Sequence, residues 1–183
     1  MAWWIWLLLV LLLAAIVFFV YYLWSLARRL DRLHRRVLQG MLRVDRALVR
    51  RASDALQLAD SGLLPPEVAA ELRRAAREAL LSAELVDDGT ERSIDSRYAC
   101  ETHLTHVIGR IVPEFSGKLR SDPFGSQLLE GLSASGYRVH VTRSLVNQDV
   151  AQVRDFRARP ICRVFHLAGR AALPDFVEFD DEN

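Results

Sequence analysis

The chain has 183 residues, 24 basic against 23 acidic side chains and a formal net charge of +1, enough for one ordinary domain plus an appendage and without the global positive charge of a nucleic-acid coat. Cys100 and Cys162 are the only cysteines, which excludes a disulfide framework. Lys118 is the sole lysine, and the arginine bias, with abundant Ala, Leu and Val, reads as a GC-rich genome rather than a chemical demand.

From Trp3 to Trp24 there is no charged residue and no Gly or Pro. At about 1.5 Å rise per residue a helix over this stretch crosses a hydrocarbon core of roughly 30 Å. Trp3, Trp4 and Trp6 at one end, and Tyr21, Tyr22 and Trp24 at the other, fall where amphipathic rings favour the headgroup layers. A cleavable signal peptide needs a positive start, a shorter apolar run and a small-x-small cleavage site, and the stretch has none of these. The pattern predicts a transmembrane helix within an anchor at 1–25.

Past the span, Arg28 to Arg51 contains nine arginines against Asp31 and Asp45. Arg28, Arg29, Arg32, Arg35 and Arg36 form its leading edge, where arginine is attracted to anionic lipid headgroups. The positive-inside bias then predicts an N-terminus outside the cell membrane and a cytoplasmic C-terminal domain. The rest of the chain is net acidic, which argues against nucleic acid as a partner.

Apolar residues recur at Leu26, Leu30, Leu33, Val37, Met41, Val44, Leu48, Ala55 and Leu58, one stripe of a helix that continues from the span to about Asp60. Ser61-Gly62 ends it, and Pro65-Pro66 imposes an extended connection. A second helix is predicted near Glu67 to Val86, with Val68, Leu72, Ala76, Leu80 and Ala83 inward. Asp88-Gly89-Thr90 breaks it, with Thr90 as the next cap. The third runs from Glu91 to about Ser116 with Ile94, Tyr98, Leu104, Ile108, Ile111, Val112 and Phe115 as its stripe, kinked or shortened by Pro113.

Asp122-Pro123 signals a fourth start, since Asp caps free N–H groups and Pro at the first helical position loses no hydrogen bond. Its stripe is Phe124, Leu128, Leu132, Val139, Val146, Val150 and Val153, to about Arg159, with a bend allowed at Gly131 or Gly136. Pro160, a short helix over Ile161 to Leu167, Gly169 and an acidic end complete the chain. The expected fold is all-α: the transmembrane helix continues into an antiparallel four-helix bundle of long helices at 26–160, followed by a short helix and acidic tail at 161–183.

Several stretches, taken in order, carry a resemblance. In "VDRALVRR", Asp45, Leu48, Arg50 and Arg51 have an Asp-x-x-Leu-x-Arg-Arg spacing. Glu101, Leu104, Glu114, Leu119, Phe124, Leu128 and Leu132 follow in "ACETHLTHVIGRIVPEFSGKLRSDPFGSQLLEGL", and Arg143, Asn147 and Val150 in "TRSLVNQDV". The tail has a Pro-then-Gly spacing and an aromatic-acidic end. Together they resemble the LemA family of membrane-anchored bacterial helical proteins. The chain departs from that pattern in "ASDALQLAD" after the double Arg, in Leu145-Val146 before Asn147, and in lacking a later Tyr-Asn pair. The resemblance implies a long-helix bundle tethered by one span, in a family with no established enzymatic activity.

Cys100, His103 and His106 lie on one side of a helix, but zinc wants four ligands or three plus water, and Glu101, His140 and His166 add no telling spacing. They read as a small core residue and partly solvated histidines, so no metal or other cofactor is expected. Glu101 on an apolar face, with Arg143 and Asn147 one turn apart on the fourth helix, reads as a polar cluster that fixes helix register. A Gly-rich phosphate loop, Gly-x-Ser-x-Gly and His-Glu-x-x-His are all missing, while Ser53 with Asp54 and Ser96 with Asp95 read as solvated helix residues. The expected function is a non-enzymatic, single-pass scaffold or interaction protein that engages the anionic bilayer and a protein partner. The alternative is a membrane-tethered regulatory sensor that binds a small ligand in its bundle.

Overall fold

The computed structural model describes residues 3–84, 91–165 and 174–179. The expected break at Asp88-Gly89-Thr90, the tail positions His166, Leu167 and Gly169, and the acidic end beyond Phe179 lie outside the described residues. Among those described, every regular element is helical: α1 (Trp3–Asp60), α2 (Pro66–Glu84), α3 (Glu91–Arg120), α4 (Pro123–Ala158) and α5 (Pro160–Val164). One helix, α1, contains a stretch long and apolar enough to cross a membrane, and none of that stretch is buried.

The helix ends follow from local chemistry. Gly62 takes φ +75°, the left-handed conformation that closes α1 without a Cβ clash. Beside it, Ser61 Oγ donates to Leu58 O at 2.7 Å and accepts from Leu63 N at 3.3 Å, so the side chain occupies backbone groups that the ended helix would leave open. Asp122 caps α4, its Oδ2 accepting from Gly125 N at 2.7 Å. A Cβ on Gly125 would collide with the Leu119 backbone carbonyl, so the tight α3–α4 turn demands glycine there.

Two local expectations are corrected, the end of α3 and the place of Phe124. α3 passes through Pro113 and ends at Arg120 rather than near Ser116. Pro113 lies on the exposed side of the helix. Phe124 is 55% exposed and does not belong to the inward stripe, which begins at Leu128 and Leu132. α4 continues through Gly131 and Gly136 as one helix.

The chain divides into two compact units. The first comprises 1–39 and 148–175. It buries Leu30, Leu33 and Val37 of α1, Val150, Val153 and Phe156 of α4, and Cys162. Arg154 in this unit donates to Pro174 O at 3.1 Å and pairs with Asp175 at 2.7 Å, holding the chain after α5.

The second unit comprises 40–147 and 176–183. Its core combines Ala52, Ala55, Leu58, Leu72, Ala76, Ala79, Leu104, Ile108, Ile111, Leu119 and Leu132. Alanines on α1 and α2 permit close helix approach, while each buried leucine contributes about 1.5–3 kcal/mol. α2 faces α3 through the ion pair of Glu71 with Arg110 and through His103 Nδ1, 3.5 Å from the Glu78 carboxylate. α1 meets α4 at Gly40, where an added Cβ would lie 2.6 Å from Val146 Cγ2.

Candidate functional site

Val44, Leu48, Ala55 and Leu58 are buried at helical spacing on α1, and Arg51 occupies the same stripe at 2% exposure. A guanidinium there must find acceptors inside the second unit. Its Nη2 donates to Glu101 Oε2 at 2.9 Å and to Glu101 O at 3.3 Å, and its Nη1 donates to Thr105 Oγ1 at 3.0 Å. Thr105 Oγ1 donates in turn to Glu101 O at 3.0 Å. Glu101 and Thr105 are each 1% exposed, so α1 and α3 are locked by a charge pair shut off from water.

Around this centre, Arg97, one turn before Glu101, forms an ion pair with Asp45 on α1. The approach of Arg97 Nη2 to that carboxylate lacks hydrogen-bond alignment, and Arg97 Nε and Arg51 Nε are buried without hydrogen-bond partners. Burial pushes the Glu101 carboxyl above its ordinary range, opposed by the charge and hydrogen bond of Arg51 and by Arg97. The Tyr98 hydroxyl is also raised, mainly by burial. Completing the double-Arg segment, Arg50 pairs with Asp54 at 3.0 Å. Asp54 is 6% exposed, and Ser53 Oγ donates to Val49 O at 2.9 Å, so this pair is more internal than the sequence suggests.

Arg143 and Asn147 serve a different arrangement from Glu101. Asn147 Nδ2 donates to Val177 O at 3.1 Å and its Oδ1 accepts from Val177 N at 2.9 Å, so one side chain satisfies both main-chain groups of an extended residue. Arg143 Nη1 donates to Phe179 O at 3.0 Å. The Phe179 ring lies 5.5 Å from the Tyr98 ring and 5.5 Å from the Arg143 guanidinium carbon. Val177 and Phe179 are thereby buried. The three residues of the expected cluster thus divide: Glu101 is engaged by Arg51, while Arg143 and Asn147 anchor the C-terminal segment. Arg51 was the missed member, and its signal was a charge standing on the apolar stripe between Leu48 and Ala55.

The expected collar lies on α1 in the first unit. Arg28, Arg29, Arg32, Arg35 and Arg36 are exposed. Arg28 stacks 3.2 Å from the Trp24 ring centroid, and Arg29 lies 5.6 Å from that of Phe156. Of the Cys100, His103 and His106 row, His103 faces Glu78 and Cys100 is half-buried. Among the described residues no three His, Cys, Asp or Glu side chains are grouped to hold a metal ion.

Set against family models, curated proteins and solved structures, the chain matches none of them.

Proposed function

We propose that this is a single-pass, membrane-anchored helical protein, related to the LemA family, whose cytoplasmic part is a non-enzymatic scaffold or interaction module. The observation that carries the reading is the contrast along α1. Its first 22 residues, Trp3 to Trp24, are uncharged and outward-facing, whereas from Leu30 onward the same helix buries one stripe and exposes arginines on the others. Water disfavours the first surface at about 25 cal/mol per Å² of apolar area, and lipid removes that penalty.

The cytoplasmic part is read as an antiparallel four-helix bundle. Glu71–Arg110 and Glu78–His103 run in opposite senses along α2 and α3, and Asp45–Arg97 and Arg51–Glu101 run in the same sense along α1 and α3. Alternating up and down helices have these two relations between neighbours and next neighbours.

Carbonate extraction of membranes combined with intact-mass measurement of the mature chain tests the anchor. The expected result is a chain that stays with the bilayer and retains Trp3 to Trp24. A chain lacking this segment, or released by carbonate, would make it a signal sequence or a peripheral contact.

A further inference from the structure

Arg29 and Phe19 mark two levels on α1 ten residues apart, about 15 Å along the helix axis. At the Arg29 level stands Phe156 near the end of α4, with the Arg29 and Arg159 guanidinium carbons 5.6 and 5.1 Å from its ring centroid. At the Phe19 level stands Phe165, just past α5, its ring in edge contact with Phe19 at 5.4 Å. Between Phe156 and Phe165 the chain therefore travels from the arginine collar back along α1 to a residue inside the apolar stretch. Phe19 lies five residues before Trp24, about 7 Å deeper than that aromatic marker. Whatever surrounds Phe19 must also meet Phe165, which is 43% exposed.

The sequence here carries the matching charge. Arginines stand at 154, 157, 159, 163 and 170 with Asp155 the one acidic residue in that stretch and Asp175 held by Arg154, in a region otherwise net acidic from Ala52 onward. Arg159 is exposed next to Pro160, and Ile161 is half-buried. The exposed ring of Phe165 beside the exposed Arg159 suits the boundary between acyl chains and anionic headgroups.

We infer that the end of α4 and α5 form a second membrane contact, with Phe165 inserted among acyl chains beside Phe19 and the exposed Arg159 at anionic headgroups. The inference rests on the reading of Trp3 to Trp24 as a span. It gives the protein two attachments to one leaflet, one of them sensitive to lipid charge.

The test uses the full chain with Cys100 and Cys162 replaced by Ser and one spin label placed at Phe165, Phe18 or Tyr137. Each is reconstituted in vesicles of three parts phosphatidylcholine to one part phosphatidylglycerol. The label at 165 should collide with oxygen in preference to a water-soluble nickel chelate, as at 18 and unlike at the exposed position 137. Lipid-like collisions at 18 with water-like collisions at 165 would overturn the inference and leave the span intact. Water-like collisions at 18 would remove the span and the inference together. Dipolar broadening between labels at 165 with exclusion of both reagents would mean that a second copy covers Phe165, which also overturns it.

A second measurement avoids any perturbation by the label. The amides of Cys162 and Phe165, bonded to Arg159 O at 3.0 Å and Ile161 O at 3.1 Å, report on α5 in unlabelled protein. An arginine near an anionic surface gains about fivefold in partition, so Arg159→Glu should speed their exchange by at least about that factor in the anionic vesicles. In pure phosphatidylcholine it should change little. Equal effects in both vesicles would overturn the role of lipid charge.

Discussion

Replacing Glu101 by Gln leaves Arg51 charged at 2% exposure, with Thr105 Oγ1 and the Glu101 carbonyl as its remaining acceptors. Arg51→Met alone leaves the Glu101 carboxylate buried without its guanidinium, at about 3–5 kcal/mol, whereas Gln stands in for the protonated carboxyl that burial favours and costs less. The double change Arg51→Met with Glu101→Leu removes both charges and fills similar volume, so it should be neutral or stabilising by about 1–4 kcal/mol. Denaturant unfolding of the detergent-solubilised chain, followed by circular dichroism at pH 8, gives the double-mutant cycle. Single changes each below about 1 kcal/mol that simply add in the double variant would refute a closed pair, since contacting charges must couple. The pH dependence offers an independent check. Burial raises the Glu101 pKa in the folded state, so between the ordinary carboxylate pKa and the raised one the native chain binds more protons than the unfolded chain. The Glu101 contribution is thus fully present below the unfolded pKa and is lost as pH rises through the folded pKa, a slope absent from Glu101→Gln.

At the α1–α4 approach, Gly40→Ala sets a methyl 2.6 Å from Val146 Cγ2 and should cost about 1–3 kcal/mol in denaturant unfolding, with Val146→Ala in the same chain restoring part of the loss. Asp122→Ala removes the 2.7 Å cap on Gly125 N and should cost about 1 kcal/mol, while Asp122→Asn should cost only a few tenths. Asn147→Ala strips both main-chain partners from Val177, at about 0.5–1.5 kcal/mol each, and should accelerate amide exchange at Val177 without changing exchange at Thr105.

Helix positions were legible because apolar period, Gly62 and Asp122-Pro123 all act through local backbone chemistry, and α2, α3 and α4 begin within a residue of where those signals place them. Pro113 misled because the burial of Ile111 and Leu119 on either side of it holds the helix past the lost hydrogen bond, and that packing is not visible in local sequence. Phe124 misled for a related reason: its spacing matches Leu128, yet it sits in the first turn of α4, where the core has not begun. The buried site was half visible. Glu101 stood out on an apolar face, but its partner was sought on α4 because Arg143 and Asn147 lie one turn apart there, while Arg51 was absorbed into a run of surface arginines. Periodicity alone placed Arg51 inward, between Leu48 and Ala55. The role of Asn147 was not legible, since nothing in its neighbours announces an extended segment thirty residues on.

The central claim is that Trp3 to Trp24 crosses the membrane and leaves the remaining chain in the cytoplasm. The most direct measurement places a single cysteine at Ala2 or at Asn183, with Cys100 and Cys162 replaced by Ser, and exposes intact cells to a membrane-impermeant thiol reagent. Labelling at Ala2 with none at Asn183 until the cells are lysed is the predicted result. Labelling of Asn183 in intact cells, with or without Ala2, would contradict the claim.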